Sequence, residues 1–100
     1  MAKGDYRDVF MFEPVGAHND GLDISGVVTI TIPTGATKIL MQVHTQNARY
    51  TLDGTVPSAT KGFQLKDGDP PIIITFGNAT VLKMIEEAAT ADLQYQMLQG

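Results

Sequence analysis

Hydrophobic and polar residues alternate along most of the chain after residue 24, as expected for β-strands with one buried face. Residues 27–32 are β-branched at every position, which favours a strand. Residues 37–45 place Ile39, Met41 and Val43 on one face and mostly polar side chains on the other. Both segments are therefore predicted to be strands of a sheet that covers an apolar core.

The second half of the chain continues this pattern. Residues 63–65 predict a short strand, and the apolar run at residues 72–76, IIITF, predicts a central strand. Residues 80–86 fit either a strand or a short helix, and we favour the strand. Near the C-terminus, apolar and polar residues alternate again and predict a last strand; its apolar members are Leu93, Tyr95 and Met97.

Turn-forming residues separate these segments. Asp53-Gly54 predicts a type I′ turn, because both central positions of that turn need positive φ. Residues 66–71, KDGDPP, predict a second turn, in which Asp67-Gly68-Asp69 has a structural role. Strands at this spacing predict an all-β, immunoglobulin-like sandwich of about seven to eight strands.

Residues 1–24 differ in composition and predict an N-terminal arm or edge segment before a sandwich domain at residues 25–100. Residues 15–23 are rich in turn formers and predict a loop. Phe10, Met11 and Phe12 are three consecutive large apolar residues, and successive side chains of a strand point in opposite directions. They cannot all face one core, so they are the predicted oligomer or lattice contact.

Size and charge limit the classes of function. One hundred residues fit one domain, and 43% hydrophobic with 18% charged residues is typical of a globular chain. The net charge of -4 provides no basic patch for nucleic acid. The chain has no cysteine, which fits a reducing cytoplasm, and no apolar run approaches the roughly 20 residues of a membrane span. Neither nucleic acid nor a membrane is a predicted partner.

The residues that could take part in catalysis form no recognised catalytic motif. We therefore predict a protein that is not an enzyme and uses no cofactor. His18 lies beside Asn19, Asp20 and Asp23, a group that could form a weak cation site. Asn and Asp side chains that bond their own backbone explain the same residues, and we favour this reading. The other histidine, His44, is predicted on the polar face of its strand.

Two resemblances add to these predictions. Residues 48–59, ARYTLDGTVPSA, are similar to the Y-T-x-D-G-x-x-P signature of immunoglobulin-like accessory domains, such as the C-terminal domain of the chitobiase/hexosaminidase type. The resemblance implies a strand, an Asp-Gly turn and a proline loop. The matching residues of this structural motif are Tyr50, Thr51, Asp53, Gly54 and Pro57.

Over residues 35–98 the chain resembles small virion structural proteins of tailed bacteriophages, which end in a strand comparable to residues 89–96, ATADLQYQ. This resemblance implies a capsid decoration or cement protein that assembles in the bacterial host cytoplasm and resides in the virion. Its implied partners are copies of itself, as a trimer or other oligomer, and the major capsid protein or neighbouring virion proteins. Two alternatives are a neck or tail component and an immunoglobulin-like module that binds carbohydrate or a host surface.

Overall fold

The computed structural model describes residues 12–100. This part of the chain forms eight β-strands and no helix. The strands, in chain order, are β1 (Glu13–Leu22), β2 (Val28–Thr29), β3 (Lys38–His44), β4 (Ala48–Thr51), β5 (Phe63–Leu65), β6 (Ile72–Thr75), β7 (Lys83–Glu86) and β8 (Asp92–Gln99).

The strands pair as if one long hairpin had been wrapped around itself. β1 pairs with β8, β2 with β7, β3 with β6 and β4 with β5, all antiparallel. Pairing of β3 with β8 and of β4 with β7 then gives two four-stranded sheets. Sheet A has the order β1-β8-β3-β6 and sheet B the order β2-β7-β4-β5. The predicted all-β sandwich is confirmed. Its strand order is that of an eight-stranded jelly roll. An immunoglobulin domain pairs its first two strands with each other, whereas here β1 and β2 lie in different sheets.

The core lies between the two sheets. On β3 buried and half-buried residues alternate as the sequence predicts, with Ile39, Met41 and Val43 at most 1% exposed. Leu93 on β8 and Met84 on β7 are fully buried and come from opposite sheets. Because one face of each sheet supplies these side chains, the outer faces are left for other contacts.

Three predictions for individual strands can be compared with this fold. Residues 83–86 form a strand, as favoured over a helix. The strand predicted at residues 27–32 is reduced to the two residues of β2. The predicted central position of residues 72–76 is wrong: β6 is an edge strand, and only every second of its residues is half-buried. A continuous apolar run therefore marks an open edge here instead of a sheet centre.

The prediction of a loop at residues 15–23 is also wrong, because all but the last of these residues belong to β1. The ladder between β1 and β8 has two register shifts, between Val15 and Asn19 and between Asp20 and Leu22. Gly16 has a φ of 75°, which glycine adopts at little cost, so an irregular strand absorbs the turn-forming residues. Residues 13–22 are thus an edge strand of sheet A.

The turn at Asp53-Gly54 exists but is not the predicted type I′ hairpin. Among the described non-glycine residues only Thr45 has a positive φ, so Asp53 lacks the conformation that such a turn requires. Of the two turn residues, only Gly54 has a positive φ, 86°. Residues 52–62 separate β4 from β5, and they form a long loop at one end of sheet B.

Candidate functional site

The loop at residues 52–62 is held by its own side chains. The buried Thr51 donates its hydroxyl to the carbonyl of Thr55, and the Thr55 amide donates to Oδ1 of Asp53 at 3.0 Å. Ser58 and Lys61 exchange two backbone hydrogen bonds, of 3.0 and 3.2 Å, that close the far end of the loop. Asp and Thr side chains that bond nearby backbone groups favour turns in this way. The loop is therefore a shaped element with a defined surface.

The residues of the Y-T-x-D-G-x-x-P motif lie in this loop and at the end of β4 before it. Pro57 is buried, and Tyr50 is half-buried with its pKa raised by burial. Asp53 is exposed, and hydrogen bonds from the Thr55 side chain and amide lower the pKa of its carboxyl group. Asp53 is consequently ionised at neutral pH and presents a negative charge at the loop surface.

Gly62 brings the end of the loop against β4. Its φ is 123°, and a Cβ built on it would lie 2.9 Å from the carbonyl oxygen of Tyr50. No other residue fits this approach without movement of the backbone. The contact sets the start of β5 beside β4, so that the rings of Tyr50 and Phe63 lie 5.6 Å apart between centroids.

A groove of about 520 Å³ opens where the loop meets β4 and β5. Phe63 is 64% exposed at this groove, although residues of its size are usually covered in a small domain. Asp53 and Lys61 place opposite charges at the same groove. An exposed ring between charged and hydroxyl groups can bind an amphipathic ligand. The lining residues are Thr51, Leu52, Asp53, Thr55, Lys61, Gly62 and Phe63.

The sequence pattern placed Phe63 on a strand but did not predict its exposure. Phe63 lies on the same side of sheet B as the buried Ala48 and Leu65, since β4 and β5 pair Ala48 with Leu65 and Tyr50 with Phe63. It is exposed because β5 is a short edge strand and no further strand of the described chain covers it. The glycine before it was the available signal, since Gly in a strand pattern often marks a close backbone approach.

The second notable surface is the free edge of β6. β6 pairs with β3 in a regular ladder from Ile72 to Thr75, and the Phe76 amide donates to the carbonyl of Thr37 at 2.8 Å. In an antiparallel ladder alternate residues bond to the same neighbour, so the backbone groups of Ile73 and Thr75 point away from β3. Within residues 12–100 no strand pairs with this side of β6, and Ile73 is 47% exposed.

Of the three predicted contact residues, the structure describes Phe12, which directly precedes β1. Phe12 is half-buried, and the ammonium nitrogen of Lys38 lies 4.7 Å from the centroid of its ring. This is within the range of a cation–π contact. Lys38 also donates to the carbonyl of Gly100 at 2.9 Å, which ties the two ends of the described chain together. Phe10 and Met11 lie outside the described residues.

The candidate cation site at His18 does not assemble. His18 is exposed on β1 and lines a cavity of about 90 Å³ with Gln42, Gln94 and Gln96 among others. Asp23 accepts the Ser25 amide at 2.9 Å, as a turn-forming side chain does. Over residues 12–100 no three His, Cys, Asp or Glu side chains are grouped to hold a metal ion.

The predicted turn at residues 66–71 is confirmed. Asp67 accepts the Thr45 amide at 3.0 Å and its own amide donates to the Asn47 side chain at 2.8 Å. These bonds tie the turn to the loop after β3.

In the described part of the chain there is also no helix long and apolar enough to cross a membrane.

Comparisons of the chain with protein-family models, with curated proteins and with solved structures found no match. The groove at Phe63 and the free edge of β6 are the two surfaces of the described chain that bear on its function.

Proposed function

We propose that this protein is a non-enzymatic structural component of a bacteriophage virion, most specifically a head decoration or cement protein that stabilises the capsid. It binds copies of itself and the major capsid protein or neighbouring virion proteins. Its place is the virion, after synthesis in the host cytoplasm. A neck or tail position is the alternative within this class.

The observation that carries the proposal is the open edge of β6. Ile73 and Thr75 present backbone donors and acceptors to solvent beside an exposed isoleucine side chain, and such an edge binds other chains by strand addition. Eight-stranded jelly rolls occur in viral capsid proteins, as well as in lectins. In a particle, many copies make weak edge contacts effective together. The phage-like pattern of residues 35–98 supports the same reading.

Cryo-electron microscopy of particles assembled with and without this protein tests the proposal. Density for the jelly roll at regular positions on the head lattice is the expected result. Density restricted to the axis of portal and tail would transfer the protein to the neck or tail. Its absence from purified particles would overturn the virion proposal.

The N-terminal contact can be tested on the same particles. Deleting residues 1–11 removes Phe10 and Met11 but keeps Phe12, which contacts Lys38, and all of β1. We expect the shortened protein to fold normally and to bind shells much more weakly, because the deletion removes apolar contact area. Unchanged binding to shells would contradict the predicted role of these residues.

A second candidate function rests on Phe63. Sugar rings stack on exposed aromatic side chains, and carboxylate and ammonium groups such as those of Asp53 and Lys61 bond sugar hydroxyls. In this reading the protein is a module that binds carbohydrate or a host surface. The aromatic ring, the charges and the volume of the groove are consistent with one or two sugar rings.

Binding of the purified protein to a glycan panel tests this candidate, with Phe63→Ala as the variant. Val56→Ala is the matched control, because Val56 is also exposed, at 59%, but does not line the groove. Binding that Phe63→Ala removes and Val56→Ala retains would support the carbohydrate module. Failure of the unmodified protein to bind any glycan would exclude it.

A further inference from the structure

The four edge strands of the sandwich are protected to different degrees. β1 contains Pro14 and two register shifts, which are common protections of an edge. β2 and β5 have only two and three residues. β6 has a regular four-residue ladder, and residues 70–79 carry no charge. Among the edges that the structure describes, β6 is thus the one open to a further strand.

The outward backbone groups of β6 define what can pair with it. They are the amide and carbonyl of Ile73 and the amide and carbonyl of Thr75, because the intervening residues bond to β3. Pro71, two residues before Ile73, also points its backbone away from β3, but it has no amide hydrogen to donate. A partner strand therefore has two donors and two acceptors available on this edge.

We propose that β6 pairs antiparallel with β6 of a second copy across a two-fold axis, with Ile74 of each copy facing Ile74 of the other. This deepens the proposed self-assembly and rests on it. In this register Ile73 of each copy faces Thr75 of the other, so all four outward groups of each chain are bonded. Moving the axis to Ile73 would pair Thr75 with Pro71, which has no amide, and leave the Thr75 carbonyl unbonded.

The side chains of β6 fit a second copy of the same strand. A two-fold axis brings like residues near one another, so charged residues close to it would repel, and residues 70–79 contain none. Ile72, Ile74 and Phe76 are half-buried and pack against the core from the inner face. Pairing places these side chains beside those of the second copy and covers apolar surface that the single chain leaves in water. The two A sheets then form one continuous eight-stranded sheet.

A cysteine placed on the axis tests the register directly, because the chain has no cysteine of its own. In the proposed pairing the Cα atoms of the two Ile74 residues lie about 4.5 Å apart, within disulfide range. The two Ile73 residues are diagonal neighbours at about 7–8 Å, beyond that range. Under mild oxidation Ile74→Cys should give a covalent dimer and Ile73→Cys should not. No cross-link for Ile74→Cys, or equal cross-linking of both variants, would overturn the proposal.

Light scattering of the purified protein over a range of concentrations gives a second test. We expect a mass that rises toward twice the 10.8-kDa chain as concentration increases. Thr75→Pro removes the outward amide and with it two hydrogen bonds of the symmetric pair, which should weaken association about tenfold or more. Thr75→Val keeps the amide and the shape and should associate normally. A protein that is monomeric at every concentration would refute the proposal.

These tests separate the edge pairing from the virion role. A monomeric protein that nonetheless occupies the head lattice would refute the pairing and leave the proposed function in place. A cross-linked dimer that is absent from particles would do the reverse.

Discussion

The two sheets of this sandwich differ in how they are held together. In sheet A the central strands β3 and β8 pair continuously over seven residues, and β1 adds a ten-residue strand. In sheet B the longest strand has four residues, and the ladders contain two, three and four pairs. Each further pair adds backbone bonds and cross-strand packing, so sheet A depends mainly on its ladders.

Sheet B relies on individual side chains instead. On its outer face Glu87, which follows β7, accepts from Arg49 of β4 at 2.6 Å and from Gln64 of β5 at 2.7 Å, which links the three strands. Two further contacts stabilise this sheet: Gly62 packs against the backbone of Tyr50, and the Thr51 hydroxyl donates to the Thr55 carbonyl in the loop after β4. The two sheets therefore present different surfaces. Sheet A has a regular, unpaired strand edge at β6, whereas local side-chain contacts stabilise sheet B and shape its groove.

The largest expected effect is in the core below sheet A. Leu93→Ala removes a fully buried side chain from a central strand and should lower the free energy of unfolding by about 2–5 kcal/mol. Leu65→Ala, on the edge of sheet B and 6% exposed, should cost less because its site opens to solvent. Urea denaturation of both variants measures the difference. An equal or larger loss for Leu65→Ala would contradict the contrast between the sheets.

The next effect concerns the close approach in sheet B. Gly62→Ala combines an unfavourable φ with a clash against the Tyr50 carbonyl and should cost about 2–3 kcal/mol. Gly68→Ala is the matched control, since Gly68 has a φ of 88° and open space around it. It should cost about 1 kcal/mol from backbone conformation alone. Thermal unfolding compares the two, and similar losses would show that the approach of Gly62 to β4 is unimportant.

The smallest expected effect is electrostatic. Hydrogen bonds from Gln64 and the neighbouring Arg49 lower the pKa of Glu87 from its ordinary value of 4.5. A carboxylate with a lowered folded-state pKa stabilises the protein above its unfolded pKa, and that stabilisation is lost as pH falls through the folded value. Glu87→Gln should therefore be less stable than the unmodified protein at about pH 6, and the difference should shrink toward about pH 3.

Thermal unfolding across this pH range provides the check. Lys83→Gln is a suitable control, because Lys83 lies on β7 near the same face of sheet B but has no hydrogen bond to Glu87. A stability difference for Glu87→Gln that stays constant with pH would contradict the role assigned to its ionised form.

The sequence pattern predicted those strands whose side chains face one core. Ile39, Met41 and Val43 alternate with mostly polar residues because β3 is central in sheet A and covered on one face. β8 alternates in the same way up to Met97, and Leu98 beside it is buried as well. β1 was missed because local turn propensity at Gly16 and Gly21 is overridden by pairing with β8, a contact between the two ends of the chain. Periodicity contains no information on such distant pairings, so it could not give the jelly-roll order either.

The same limitation applies to the two surfaces. The run at residues 72–76 has isoleucine on both faces, which fits a covered strand as well as an edge strand that pairs with another chain, and only the strand order distinguishes them. The Asp53-Gly54 turn was recognised from local chemistry. The groove beside it depends on Gly62 and Phe63, which approach Tyr50 only after β4 and β5 have paired.

Amide hydrogen exchange of β6, followed by NMR at low and high protein concentration, tests the central claim that this edge is an assembly surface most directly. The Ile73 and Thr75 amides point outward, whereas the Ile74 and Phe76 amides bond to β3 and act as internal controls. We expect exchange at Ile73 and Thr75 to slow as the protein concentration rises, while exchange at the control amides changes little. Rapid exchange of Ile73 and Thr75 at every concentration would contradict it.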